Sequence, residues 1–156
     1  MVSTVIHPQV MPSTETPTVY LTQADTESLS HLDILRLVQV GFSLNRARAM
    51  VASSGLYTSR KLLERITGTS LRAIQRQSRL KNEVRLTAQQ SAVVFQYAKA
   101  LEVAVSVFGS QALAEQWLNR PCRHLAGIVP FEMIDTSLGY NVVVEYLERI
   151  RLGIYQ

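Results

Sequence analysis

The stretch TSRKLLERITGTSLRAIQRQSR, residues 58–79, has the plan of two helices joined by a tight turn. Thr58 or Ser59 is placed to cap a helix running to about Thr67, Gly68 supplies the turn, and Ser70 caps a second helix from Leu71. On that second helix Arg72, Gln75, Arg76 and Arg79 fall at i, i+3, i+4 and i+7 and share one face, while Leu71, Ile74 and Ser78 share the other. A helix of this kind packs its apolar side on its neighbour and turns a row of hydrogen-bonding side chains outward. Arg can donate two bonds to guanine and Gln can pair with adenine, so the row fits double-stranded DNA. Arg60 and Lys61 at the start of the first helix, and Lys81 beyond the second, are placed to reach phosphates. The alternative is a helical hairpin whose basic side chains face only solvent.

Charge placement supports a polyanion partner. Residues 44–88 hold ten basic side chains against Glu64 and Glu83, a local +8, whereas residues 1–43 sum to −3 and residues 89–156 to −1, which together give the net +4. A concentrated basic block inside a segment with a folding pattern is the footprint expected of a nucleic-acid binder.

Outward from this centre, residues 1–28 are rich in Ser, Thr and Pro with little periodicity, and are expected to form a flexible arm. A helical pattern starts near Leu32, with Leu35 and Val38 or Gln39 on the same side, and breaks at Gly41-Phe42-Ser43. Ser43 is placed to cap a helix carrying Leu44, Ala47, Met50 and Val51, which Gly55 is expected to stop. Downstream, Leu86 to Phe108 reads as the longest helix, opened by Thr87 and Gln90 at capping-box spacing and ended by Gly109. Its apolar residues run around much of the circumference, which suits either a homodimer contact or an internal core position. Ser110 caps a short helix through Trp117-Leu118, with Trp117 as a core anchor; Pro130 opens another; and Ser137 caps the last, striped by Val143, Tyr146, Leu147 and Ile150.

The residues Phe108-Gly109, Trp117-Leu118-Asn119, Leu125, Gly127, Pro130, Asp135-Thr136, Gly139, Arg149-Ile150 and Gly153-Ile154-Tyr155 form an ordered set over residues 100–156. This set resembles the C-terminal toxin-binding domain of the Xre/MbcA/ParS-like antitoxins, partners of RES-domain toxins. The helix-turn-helix of the same family is similar to residues 59–76, where Ser59, Arg60, Leu63, Gly68, Ser70, Arg72, Gln75 and Arg76 match. Glu64 stands where the family prefers Ala, a small residue that lets the two helices approach closely, and Thr67 and Thr69 stand where it prefers Leu and Ile. Ala126-Gly127-Ile128-Val129 replaces the family's Gly-Gly, basic residue and Ser or Thr before the proline.

The resemblance implies an antitoxin that binds and neutralises a RES-type, NAD-degrading toxin, and that binds its own promoter. It also implies that the C-terminal region covers the toxin's cleft. On that footing Arg149, Arg151, Gly153, Ile154, Tyr155 and Gln156 are the candidate toxin-binding residues, the alternative being a frayed terminus.

Other classes find little support. The single Cys122 allows no internal disulfide, and His7, His31 and His124 lack metal-ligand spacing. No nucleophile motif or phosphate-binding glycine loop appears, so neither enzyme nor cofactor is expected. No apolar run is expected to approach the roughly 18–20 residues of a membrane span, and a reducing cytoplasm is the expected location. The expected architecture is all-α: an arm over 1–28, a Cro/repressor-like helix-turn-helix region over 29–86, and a small helical dimerisation and toxin-binding domain over 87–156. A stand-alone transcription regulator with a C-terminal dimerisation domain is the competing reading.

Overall fold

The computed structural model describes residues 15–80 and 83–154, and among these the regular structure is helical throughout. In chain order the helices are α1 (Pro17–Thr22), α2 (His31–Val40), α3 (Leu44–Ala52), α4 (Gly55–Ser59), α5 (Leu62–Thr67), α6 (Leu71–Leu80), α7 (Ala88–Phe108), α8 (Gln111–Leu118) and α9 (Ser137–Arg151). Short 3-10 turns occupy Thr26–Ser28, Arg123–Leu125 and Pro130–Met133. The all-α expectation holds.

Helix α7 is the axis around which the rest is packed. It starts where the sequence indicates: the Thr87 hydroxyl accepts from the Gln90 N–H at 3.1 Å while the Gln90 side chain accepts from the Thr87 N–H at 3.0 Å. It ends at Gly109, in a left-handed conformation with φ +86°. Helices α1, α2, α5, α8 and α9 all lie against it, burying residues such as Val94, Tyr97, Ala100 and Val103 on different sides. At 21 residues it is long and apolar enough to span a bilayer by length and composition, which corrects the expectation that no such run exists. Much of the apolar surface expected to suit a second subunit is taken up inside this chain. The same cluster of buried residues runs from Leu21 through Met50, Tyr57 and Leu101 to Leu147, so a continuous core underlies both expected regions.

The N-terminal expectation needs correction. Residues 1–14 lie outside the described part, but Pro17–Thr22 forms α1, with Leu21 and Thr18 fully buried. Glu102 of α7 accepts from the Thr18 N–H at 2.7 Å and also from its hydroxyl, which ties α1 to the axis. The Ser/Thr/Pro composition concealed this, because a six-residue helix is too short to show a period.

Two close approaches set the remaining geometry. At Gly41, φ is +94° and a Cβ would stand 2.2 Å from the Leu86 carbonyl oxygen, so only glycine lets the α2–α3 corner meet the segment before α7. That corner is held by the Phe42 N–H donating to Ser91 Oγ at 2.9 Å and by a short pairing of residues 42–44 with 84–86. At Gly139, a Cβ would stand 1.9 Å from the Met133 carbonyl oxygen, which lets α9 press on the 130–133 turn.

Several boundaries differ from expectation. Gly55 opens α4 under a Ser54 cap instead of merely stopping α3. Ser43 makes no side-chain cap bond, and Thr136, not Ser137, caps α9. Each cap is displaced by about one residue or replaced by tertiary hydrogen bonds, the usual scale of error at helix ends.

The centre of the core is an aromatic trio. Tyr57 and Tyr97 meet edge to face at 5.6 Å, and Phe131 lies 6.0 and 5.2 Å from them. Tyr57 donates to the Tyr97 carbonyl at 2.7 Å and Tyr97 donates to the Phe131 carbonyl at 3.0 Å. Burial raises both phenol pKa values, so both remain donors at neutral pH. Replacing Tyr97 by Phe removes one donor and leaves a buried carbonyl unpaired. The Tyr97→Phe chain is expected to lose about 1–3 kcal/mol of stability in urea unfolding, with an unchanged helical spectrum.

Candidate functional site

Helix α6 is built as the sequence indicates. The Ser70 hydroxyl accepts from the Ala73 N–H at 3.2 Å, and Gly68 makes the turn with φ +68° and its N–H on the Glu64 carbonyl at 2.8 Å. Ile74 is buried, whereas Arg72, Gln75, Arg76 and Arg79 are exposed, with no ion pair to any of the three arginines among the described residues. Leu71, expected on the packed face, remains 44% exposed. It lines an open groove of about 450 Å³ with Ala49, Val51, Leu62, Leu63 and Glu64. Glu64 therefore sits in the space between α3, α5 and α6, at the position where a small residue would permit closer contact.

The first helix of the pair departs from expectation. The helix anticipated from Thr58 or Ser59 to Thr67 is interrupted: α4 ends at Ser59, Lys61 adopts φ +53°, and α5 starts at Leu62. Ser59 is not a cap; its hydroxyl donates to the Leu56 carbonyl at 2.9 Å. Lys61 is exposed at the break, and Lys81 lies outside the described residues.

Arg60 is drawn toward the C-terminal region. Its Nε and a terminal nitrogen donate to Asn119 Oδ1 at 3.0 and 2.6 Å, and its other terminal nitrogen reaches Glu132 at 3.5 Å. Arg65 donates to both carboxylate oxygens of Glu132, at 3.3 and 2.8 Å. Both guanidinium groups lie over the Phe131 ring, at 5.3 and 5.0 Å from its centroid. The phosphate contact expected of Arg60 competes with these bonds. The Arg65 hydrogen bond holds the Glu132 carboxyl below its ordinary pKa of 4.5, and Glu132 raises Arg65 in turn. A second tie runs through Glu115, which accepts from Ser54 Oγ at 2.5 Å and from the Leu56 N–H at 3.4 Å. Sequence reading did not find these ties, because partners 59 to 72 residues apart leave no local pattern.

At the other end, α9 buries Val143 and Leu147 and pairs Arg149 with Glu145 at 3.3 Å and Arg151 with Glu148 at 2.6 Å. Gly153, at φ +71°, closes the helix: its N–H bonds the Ile150 carbonyl at 2.9 Å and the Ile154 N–H bonds that of Arg149 at 3.0 Å. Ile154 projects with 63% exposure; Tyr155 and Gln156 lie outside the described residues. Trp117 is partly buried in an aromatic stack, and Cys122 is a buried free thiol. No cluster of metal-binding side chains occurs among the described residues.

Residues 103–153 match the family described as antitoxin Xre/MbcA/ParS C-terminal toxin-binding domain. The chain is 33% identical over 91 residues to an antitoxin Xre of Photorhabdus laumondii, covering 58% of this chain and 60% of that protein. It is also 33% identical over 76 residues to an antitoxin Xre of Pseudomonas putida, covering 49% and 48%. The aligned part thus spans about half the length of these curated relatives. A shorter match, 36% identical over 47 residues, is to 6-hydroxy-3-succinoylpyridine 3-monooxygenase HspA of Pseudomonas putida; it spans only 15% of that enzyme and transfers no activity.

The Glu132 network predicts an acid-sensitive increment of stability. A depressed carboxylate pKa stabilises the fold above its unfolded value, and that gain is lost as pH falls through the folded value. Glu132 is 40% exposed in its pairs, so the network is worth only about 1 kcal/mol. Glu132→Gln should lower the melting temperature by a few degrees at pH 7, and the gap from the parent chain should narrow as the pH falls below the ordinary carboxyl value of 4.5 and close once the depressed Glu132 carboxyl is protonated.

Proposed function

We propose, from the premise that residues 103–153 are a toxin-binding domain of the Xre/MbcA/ParS type, that this chain is the antitoxin of a toxin-antitoxin pair and the repressor of its own promoter. Its toxin is of the RES type, and neutralisation protects the cell's NAD by occluding the toxin's active-site cleft. What carries the reading is one juxtaposition: the toxin-binding domain follows a helix-turn-helix whose second helix turns Arg72, Gln75, Arg76 and Arg79 into solvent.

Each half has a stated task. Helix α6 enters the major groove, with Arg72 and Arg76 bonding base edges and Arg79 and the exposed Lys61 adding charge against phosphates. A homodimer supplies two such helices spaced by about one helical turn of DNA, as a palindromic operator requires. The half-exposed Leu32 and Leu35 on the outer side of α2 support self-association. The tail beyond α9, starting from Gly153 and the projecting Ile154, enters the toxin cleft. A short segment does this at small entropic cost, since few residues need ordering.

The decisive experiment is co-expression with the adjacent reading frame, following growth, cellular NAD and co-purification. The neighbour alone should stop growth and drain NAD, and this chain should reverse both by binding it. A harmless neighbour that does not bind leaves the stand-alone regulator as the better account.

Two variants separate the tasks. Arg72→Ala with Arg76→Ala should weaken operator binding at least about 30-fold, since each bidentate base contact contributes about 1–3 kcal/mol, and should leave neutralisation intact. Unchanged operator affinity would refute α6 as the reading helix. Deleting residues 153–156 should release toxicity at constant DNA affinity; continued neutralisation would remove the tail from the mechanism.

A further inference from the structure

Four rings form a ladder in the C-terminal region. Phe108 and Trp117 lie 5.6 Å apart, Trp117 stacks on Tyr146 at 5.8 Å with 10° between planes, and Tyr146 stacks on His124 at 5.8 Å. None of the four is fully buried. At the Phe108 and Trp117 end lies an open groove of about 390 Å³, lined by Phe108, Leu113, Trp117, Pro121, Arg120 and Arg123, among others. Leu113 is 51% exposed there.

The groove has one sign of charge. Its lining contains Arg120 and Arg123 and no carboxylate. Arg120 donates to Gln116 at 2.8 Å, a neutral partner, and neither arginine is in an ion pair among the described residues. This contrasts with α9, where Arg149 and Arg151 have Glu145 and Glu148 beside them. An apolar floor flanked by two such cations complements a segment that presents an apolar side chain between carboxylates. Nucleic acid fits less well: Trp117 is already engaged with two rings, which leaves less of it for a base to stack on, and Leu113 and Pro121 give the floor an aliphatic character.

We propose that this groove is a docking site for an acidic, apolar-centred segment of the toxin, at a distance along the chain from the tail that enters the cleft. The inference rests on the antitoxin reading for the identity of the partner; the chemistry of the groove stands on its own residues. Two separate contacts would let the groove set partner choice while the tail blocks the reaction.

Trp117 is the single tryptophan of the chain, so its emission reports locally on the groove. The full-length chain is titrated with a tryptophan-free helical peptide carrying Leu at i and i+4 flanked by Glu, with its Lys-substituted counterpart, and with oligo-dT. A saturable change in emission is expected with the Glu peptide alone, weakened at least tenfold in the Arg120→Glu, Arg123→Glu double variant. The same variant should lose at least tenfold in affinity for the product of the adjacent reading frame, while keeping its melting temperature and its affinity for a promoter fragment. Equal response to both peptides, tighter binding of oligo-dT, or unchanged affinity of the variant for the neighbouring product overturns the proposal, and the last of these leaves the antitoxin reading standing. If the parent chain binds the Glu peptide but not the neighbouring product, the antitoxin reading falls and the acidic-segment site stands. Milder Arg120→Gln, Arg123→Gln replacement covers the case in which charge reversal unfolds the chain, with the same order of effects expected.

Discussion

The ring of Phe131 is the point on which the two halves of the molecule depend. Tyr57 from α4 and Tyr97 from α7 pack against it, their hydroxyls bond carbonyls in sequence, and the guanidinium groups of Arg60 and Arg65 lie over it while sharing Glu132. The aromatic contacts are buried and contribute to the core directly. The arginine pairs are partly exposed, so their weight lies more in geometry than in energy. They fix the residue after α4 and the middle of α5 against the 130–133 turn, and so against the start of the matched domain's final helix.

This arrangement divides the basic block of residues 44–88 by task. A uniform +8 suggests that every cation there faces a polyanion. The structure shows otherwise: Arg60 and Arg65 serve the internal tie, Arg85 bonds the Gly41 carbonyl and Glu83, and the α6 row is left to solvent. A charge surplus read from sequence is therefore an upper bound on the charge available to a partner. The same distinction gives the Arg120 and Arg123 pair its interest, since those cations occur in a region of net negative sequence charge, yet their groove is lined by no carboxylate and neither is in an ion pair among the described residues.

What was legible in the sequence followed the range of the signal. Helix α7, the Ser70 cap, the Gly68 turn and the buried stripe of Val143 and Leu147 rest on local spacing within one helix, and each appears where expected. Helix α1 was not legible, because Pro17–Thr22 is too short for periodicity and its burial depends on Glu102 of α7. The break at Lys61 was also hidden. Nothing in TSRKLLE marks a left-handed residue, and the break is supported by contacts that Arg60 and Arg65 make with residues more than fifty positions away. The all-round apolarity of α7 was read correctly as a sign of burial, but sequence could not say whether the covering surfaces came from this chain or from another copy.

Helix α6 stands apart from this tightly tied core. Ile74 is its one buried side chain, Leu71 is left half in water, and the groove containing Glu64 separates it from α3 and α5. A helix held by few apolar contacts opens locally at lower free energy than one embedded like α7. For a DNA reader, this permits small adjustments of the helix in the groove without disturbing Phe131 and its partners. It also separates the two proposed activities physically. Changes at Arg72 and Arg76 act on a lightly anchored element, whereas changes at Phe131 or Tyr97 reach both halves at once, so loss of one activity alone is informative only when it arises from α6, the tail or the Trp117 groove.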